Sequence, residues 1–151
     1  MEEQNKYFCP DISELHVGYE CKHTTCKGAF DINLEDDIVK DKLTVDDLRR
    51  YLRYCGIHGD DIKDYIKTRY LDQSDIESLG WAHIGGQMVS HGRQDYEKPG
   101  MMLKHFPRHN SLFIAKAINP DTMDGFAEKL FDGECKSINE LRTIMKFLNI
   151  K

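Results

Sequence analysis

The fold is decided by the stretch MMLKHFPRHNSLFIAKAI, which occupies residues 101–118. Two apolar runs, 101–106 and 111–118, flank the turn-forming segment 107–110. Proline presets a turn backbone and asparagine tolerates left-handed conformations, so this spacing predicts a β-hairpin. We therefore expect an antiparallel sheet in this region of the chain.

A helix is predicted after this sheet. Ser137 and Glu140 have the spacing of a capping box, in which each side chain accepts from the other residue's free backbone amide. Five apolar residues then recur at helical spacing: Ile138, Leu141, Ile144, Met145 and Leu148. Because an apolar stripe needs a partner layer, we expect the helix to lie across the strands around Trp81 and Phe113.

Further elements are predicted on both sides of the hairpin. Strands are expected at 65–71, 81–84 and 126–131. Gly133 predicts a bulge or bend after the last of them. Ser74 and Glu77 predict a capped one-turn helix, which Gly80 closes in the left-handed conformation.

The N-terminal region predicts another pair of strands. An alternating apolar face consists of Leu15, Val17, Tyr19 and Cys21. A period of two is typical of a half-buried strand. A polar turn over 22–28 then leads to a short returning strand at Phe30 and Ile32.

A second helix is predicted near residues 44–55. Thr44 can accept from the amide of Asp47 and so cap the helix start, and Gly56 favours its end. The stripe expected to be buried consists of Val45, Leu48, Leu52 and Cys55.

These elements predict an α+β fold, with an antiparallel, meander-like β-sheet and the C-terminal amphipathic helix packed across it. We expect one compact domain over 1–151, because no linker-like stretch interrupts the chain. The N-terminal region 1–64 is acidic, with 15 acidic and 9 basic residues, and 65–151 holds the sheet and the C-terminal helix.

Composition narrows the class of protein. The chain has 151 residues, 40% of them hydrophobic and 31% charged, and a net charge of −5. This balance excludes a coiled-coil rod and a strongly basic nucleic-acid coat, and no secretory signal or bilayer-spanning run is visible. Five scattered cysteines favour free thiols in a reducing, intracellular setting.

Two groups of residues are candidates for metal sites. The first is Cys21, His23 and Cys26, with Cys9 or His16 as a fourth ligand. A zinc site usually needs a second ligand pair, and none follows, so we favour a polar turn without metal. The second group is His83, His91, His105 and His109, where Pro107 argues against two ligands on one helix. We predict no cofactor.

A basic binding face is the main alternative for function. The hairpin region 98–119 has basic residues without acids, and Phe106 and Phe113 lie between them. The face would consist of Lys98, Lys104, His105, Arg108, His109 and Lys116. Such a surface can hold phosphates and stack bases, although the net charge of −5 argues against broad capture of nucleic acid.

No catalytic residue is predicted. Cys55 and His58 lie at a predicted helix end, where the helix dipole disfavours a thiolate. Gly85-Gly86 stand alone, without the rest of a phosphate-binding loop. We therefore expect a protein that is not an enzyme.

Three stretches carry a resemblance: 7–20 (YFCPDISELHVGYE), 70–81 (YLDQSDIESLGW) and 135–150, which begins CKSINEL. With them the chain resembles small uncharacterised proteins encoded by tailed phages, including crAss-like phages, and by prophages and mobile elements of gut Bacteroidales. The resemblance implies a phage setting and carries over no catalytic residue.

The functional expectation combines these points. We expect a phage-encoded protein–protein interaction protein, either a virion accessory or assembly subunit or an intracellular factor that binds a host protein. Its partner would be a phage structural protein or a host protein, with a homo-oligomer left open and no membrane involved. The host cell cytoplasm, or the virion, is the expected location.

Overall fold

A computed structural model describes residues 6–32, 34–84, 92–117 and 126–151. The chain divides after Tyr70 into two compact units, Met1–Tyr70 (unit 1) and Leu71–Lys151 (unit 2). Each unit contains an antiparallel sheet, so the predicted α+β class is confirmed. The expectation of a single domain stays a prediction.

Unit 1 contains a four-stranded sheet and one α-helix. Its strands are β1 (Tyr7–Phe8), β2 (Glu20–His23), β3 (Val39–Lys42) and β4 (Ile66–Arg69). Their order is β1-β4-β2-β3, and every pair is antiparallel. Helix α1 (Val45–Gly56) follows β3 directly. The core is formed by Tyr19, Leu43, Tyr51, Tyr65 and Ile66.

The predicted N-terminal strands are corrected by the structure. Strand β2 begins at Glu20 rather than at residue 15, because Gly18 adopts a left-handed turn with φ of 85°. In that turn Val17 is exposed. Phe30 and Ile32 lie in turns, and the strand that pairs with β2 is β3 instead.

Helix α1 begins as predicted, but its buried side is centred on Tyr51 and includes only part of the predicted stripe. The Thr44 side chain accepts from the Asp47 amide, and the Asp47 carboxylate accepts in return from the Thr44 amide at 2.9 Å. Tyr51 is fully buried, whereas Val45 and Leu52 of the predicted stripe are half exposed. The predicted burial of that stripe is therefore wrong at Val45 and Leu52.

Unit 2 contains a five-stranded meander. Its strands are β5 (Ala82–His83), β6 (Gln94–Lys98), β7 (Met101–Phe106), β8 (Ser111–Ala117) and β9 (Phe126–Glu134), in that order. The predicted hairpin is β7 and β8, joined by a short 3-10 turn over Pro107–His109. Asn110 closes the turn in the left-handed conformation. Ile118, at the predicted strand's end, lies outside the described residues.

Two short-range predictions in unit 2 are wrong in detail. Helix α2 (Gln73–Ser78) is capped by Asp72, whose carboxylate accepts from the Asp75 amide at 2.9 Å, instead of by Ser74. Gly80 does close it with a φ of 86°. Gly133 pairs regularly with Leu112, whereas the two register shifts between β8 and β9 fall where Leu130 and Ala127 are skipped.

Helix α3 (Ile138–Phe147) covers one face of the meander, as predicted. Ser137 caps it, but the Glu140 carboxylate accepts from the Lys136 amide at 2.6 Å. Trp81 is a partner, since its indole N–H lies 3.4 Å from the Met145 sulfur. The strand around Phe113, β8, is also a partner as predicted, through Leu112 and Ile114, while Phe113 itself is not one of the buried residues of this face.

The packing of α3 gives a direct stability prediction. Leu141 is fully buried, so Leu141→Ala should lower the free energy of unfolding by about 2–5 kcal/mol. Phe147 lies on the same helix and is 89% exposed, so Phe147→Ala should change it by less than about 0.5 kcal/mol. Chemical denaturation of both variants checks this, and similar losses would contradict the placement of the helix.

Candidate functional site

The rotation of α1 is set by a buried polar contact. The Tyr51 hydroxyl is hydrogen-bonded to His23 Nδ1 at 2.7 Å, and both residues are buried. The Tyr51 ring also packs against Tyr65, with ring centroids 6.0 Å apart. A buried hydroxyl without a partner is costly, so this contact holds the tyrosine face of α1 toward β2.

The side of α1 next to Leu48 and Tyr51 is only partly covered by the described residues. Val45 and Leu52 lie seven residues apart, which places them on the same side of the helix two turns apart. They are 49% and 51% exposed, and Arg49 lies between them. Arg53 follows on the adjoining side.

Neighbouring apolar residues extend this surface. The Gly18 amide donates to the Leu43 carbonyl at 2.8 Å, which brings the turn with Val17 beside the start of α1. Ile57, at the end of α1, is also exposed, but it lies about 140° around the helix from Leu52 and so on another side. We call the surface formed by the other residues the α1 outer face; it consists of Val17, Val45, Arg49, Leu52 and Arg53.

Strand β3, at one edge of the unit 1 sheet, is poorly suited to pairing with another strand. Because the Leu43 amide donates to the Tyr19 carbonyl, the antiparallel ladder turns the backbone of Lys40 and Lys42 outward. The Lys42 amide is occupied by the Asp41 carboxylate at 2.7 Å. Lysines and an occupied amide are features that protect sheet edges.

Strand β9, at one edge of the unit 2 sheet, is protected in a similar way. Strand β9 skips Leu130 in its register, which disrupts the ladder. The strand also carries several charged side chains: Glu128, Lys129, Asp132 and Glu134. Binding by added strands is therefore disfavoured at both of these edges.

The predicted basic face is not assembled on one side of the hairpin. Lys104 lies over the Phe113 ring, with Nζ 5.8 Å from its centroid, on one face of the sheet. His105, the next residue, lies on the other face and is only 2% exposed. Alternation along a strand separates these two side chains.

The remaining residues of that face are also dispersed. Lys98 Nζ donates to the Lys151 carbonyl at 2.6 Å and lies 5.5 Å from the centroid of the Trp81 ring. Arg108 and His109 share the exposed 3-10 turn, whereas Lys116 lies at the opposite end of β8. Nucleic-acid binding by the hairpin stays a prediction, to be tested by salt-sensitive binding.

The candidate metal ligands have other surroundings. His23 is hydrogen-bonded to Tyr51, Cys21 is half-buried on β2, and Cys26 is exposed beyond it. His16 Nδ1 lies 2.9 Å from the Val17 carbonyl. Within the described residues no three His, Cys, Asp or Glu side chains form a group that could hold a metal. His91 lies outside those residues.

The thiols with shifted pKa values are not activated. Burial raises the pKa of Cys21 and of Cys135 to about 12, and it also raises the pKa of Cys9 and Cys55. A thiolate is the nucleophilic form of cysteine, so these four side chains are protonated and unreactive at neutral pH.

Sequence reasoning missed the α1 outer face for an identifiable reason. It placed Val45, Leu48, Leu52 and Cys55 on one stripe and left out Tyr51. Because Tyr51 is an amphipathic residue that is buried once its hydroxyl has a partner, it could have indicated that the apolar surface of α1 extends beyond the predicted stripe. The sequence does not show which part of this wider surface packs on the sheet.

Comparison with known proteins found no matching family model, curated protein or solved structure. The resemblance to phage and mobile-element proteins therefore stays a prediction. Among the helices that the structure describes, none has the length and apolar character needed to cross a bilayer.

The buried His105 predicts acid sensitivity. Its Nδ1 has no hydrogen-bond partner among the described residues, and burial lowers its pKa to about 4, against a smaller raising effect of Asp72. An unfolded histidine has a pKa of about 6.5. Above pH 6.5 the histidine is neutral in both the folded and the unfolded protein, and its burial costs no protonation energy. As the pH falls to 4 the unfolded state binds a proton more readily than the folded state, so the free energy of unfolding falls by about 3 kcal/mol.

This loss can be isolated with variants. The free energy of unfolding is measured for the unchanged protein and for His105→Leu at pH 7 and at pH 4. The value for the unchanged protein minus the value for the variant should fall by about 3 kcal/mol between the two pH values, because the titration of all other groups cancels in the difference. A parallel pH dependence for the unchanged protein and His105→Leu would contradict the burial of a neutral His105.

Proposed function

We propose that the protein is a non-enzymatic protein–protein interaction protein whose partner docks on the α1 outer face. One observation carries the proposal: the apolar surface of α1 is wider than the part that packs in the core of unit 1 through Leu48 and Tyr51. The adjoining part leaves Val45 and Leu52 half exposed. When a partner covers an apolar surface of this kind and removes it from water, the free energy falls, and this favours binding.

The composition of the α1 outer face agrees with that of binding surfaces. Arginine is enriched in protein interfaces, and Arg49 and Arg53 lie beside the apolar residues. Arg49 is 3.9 Å from Asp46, but both side chains are largely exposed, so this ion pair contributes little. The matching partner has an apolar centre with acidic residues around it.

The absence of an enzymatic role is supported by the chemistry of the titratable groups in the described residues. Burial is the largest influence on the pKa values of Cys21, Tyr96, His105 and Cys135, and it favours their neutral forms. Catalytic groups instead combine a shifted pKa with access to a substrate.

The biological setting follows from the resemblance. We infer a phage-encoded protein that acts in the host cytoplasm or in the virion, either as a virion accessory or assembly subunit or as a factor that binds a host protein. Self-association through the same surface is compatible with the geometry.

A matched pair of variants tests the docking surface. Val45 and Val39 are the same residue type and both are 49% exposed, but only Val45 belongs to the α1 outer face. Partners captured with the unchanged protein from infected cells and from purified particles are identified by mass spectrometry, and their affinities are then measured with purified components. We expect Val45→Glu to weaken binding at least about tenfold, or about 1.4 kcal/mol, and Val39→Glu to leave it unchanged.

Two results would contradict this proposal. One is a partner whose affinity is the same for Val45→Glu and for the unchanged protein. The other is captured material that is nucleic acid, whose binding falls with salt and with Lys104→Ala; that result would favour the hairpin instead.

A further inference from the structure

Unit 2 contains a groove beside the C-terminal half of α3, separate from the α1 outer face. The groove has a volume of about 330 Å³. It is lined by Leu79, Arg142, Met145, Lys146, Asn149 and Ile150. We call it the α3 groove.

The apolar floor of the α3 groove is built by the way in which α3 ends. Asn149 adopts a left-handed conformation with φ of 57°. The chain then turns back, and the Ile150 amide donates to the Met145 carbonyl at 2.8 Å. This is the hydrogen bond of a Schellman motif, which usually brings an apolar residue back onto the last turn. Leu79, at the end of α2, completes the floor.

The rim of the α3 groove is cationic. Arg142 and Lys146 lie four residues apart and so on the same side of α3, and Asn149 adds an amide. Among the described residues no carboxylate lies within ion-pair distance of Lys146. The partial negative charge at a helix C-terminus is only about half a unit, so the full positive charge of Lys146 outweighs it.

The size of the α3 groove selects the kind of ligand. Its volume of about 330 Å³ falls at the small end of small-molecule sites, which span about 300–1,000 Å³. A stable protein interface instead uses roughly 20–30 residues on each side, far more than the six that line this groove. A small ligand is therefore favoured over a protein segment.

We propose that the α3 groove binds a small amphipathic anion, with an apolar chain or ring on Leu79, Met145 and Ile150 and an anionic head beside Lys146 and Arg142. A medium-chain carboxylate has this chemistry. Binding at this site does not depend on the proposed docking of a protein on unit 1.

The full chain offers two reporters for this site. Its single tryptophan, Trp81, contacts the Met145 sulfur through its indole N–H, so a ligand on the groove floor should alter Trp81 fluorescence. Methyl-labelled methionine reports Met145 itself, and Met145→Leu identifies its signal. The probes are decanoate and decyltrimethylammonium, which have chains of equal length and heads of opposite charge.

We expect decanoate to bind with one-to-one stoichiometry and to shift the Met145 methyl signal, with at least about tenfold higher affinity than decyltrimethylammonium. Lys146→Glu should weaken decanoate binding about fivefold to tenfold. Lys129→Glu makes the same change of charge at an exposed position on β9 and should leave the affinity within about twofold.

Three results would overturn the proposal: no saturable decanoate binding, equal affinity for the two probes, or an unmoved Met145 signal. An affinity that responds equally to Lys146→Glu and Lys129→Glu would overturn it too, because it would indicate general charge attraction. The comparison of the two probes on the unchanged protein remains decisive if Lys146→Glu fails to fold.

Discussion

The hydrogen bond between Tyr51 and His23 is the constraint on which the α1 outer face, the proposed docking surface of unit 1, depends. A tyrosine can be fully buried only if its hydroxyl is satisfied, and β2 supplies the partner atom at 2.7 Å. Burial lowers the pKa of His23, so the imidazole is neutral and suited to this buried contact. With Tyr51 directed inward, the helical repeat places Leu52 and Val45 about 100–120° around the helix from it, where both are half exposed. The same contact that completes the core therefore produces the exposed apolar face.

In unit 2 the alternation of side chains along the strands decides which residues are buried, and His105 is the one polar residue of β7 and β8 that it buries. The period of two along β7 and β8 places Leu103, Leu112 and Ile114 beneath α3 and Phe113 on the other face. The same alternation places His105 in the buried layer, where its Nδ1 has no partner among the described residues. The helix that covers this layer also ends in the turn that forms the α3 groove. The last turn of α3 thus belongs both to the helix that packs on the unit 2 sheet and to the α3 groove.

The elements that the sequence predicts well are those fixed by local signals. The Thr44 cap, the β7–β8 hairpin and the stripe on α3 depend on residues that are neighbours in the chain, and the structure has all three. Competing local signals are harder to separate: Asp72 and Ser74 can both cap α2, and Asp72 does. The short strands of unit 1 and the inward face of α1 depend on contacts between distant residues, such as Tyr51 with His23. No local pattern reports such contacts, so the α1 outer face was not predictable from spacing alone.

The orientation of α1 can be measured directly in solution. Methyl signals of Val45, Leu48 and Leu52 are recorded while a soluble paramagnetic agent is added to the 151-residue protein. We expect strong relaxation enhancement for the half-exposed Val45 and Leu52 and weak enhancement for Leu48, which packs against the core. Equal protection of all three, or a strongly enhanced Leu48 with protected Val45 and Leu52, would contradict the claim that α1 presents a free apolar face.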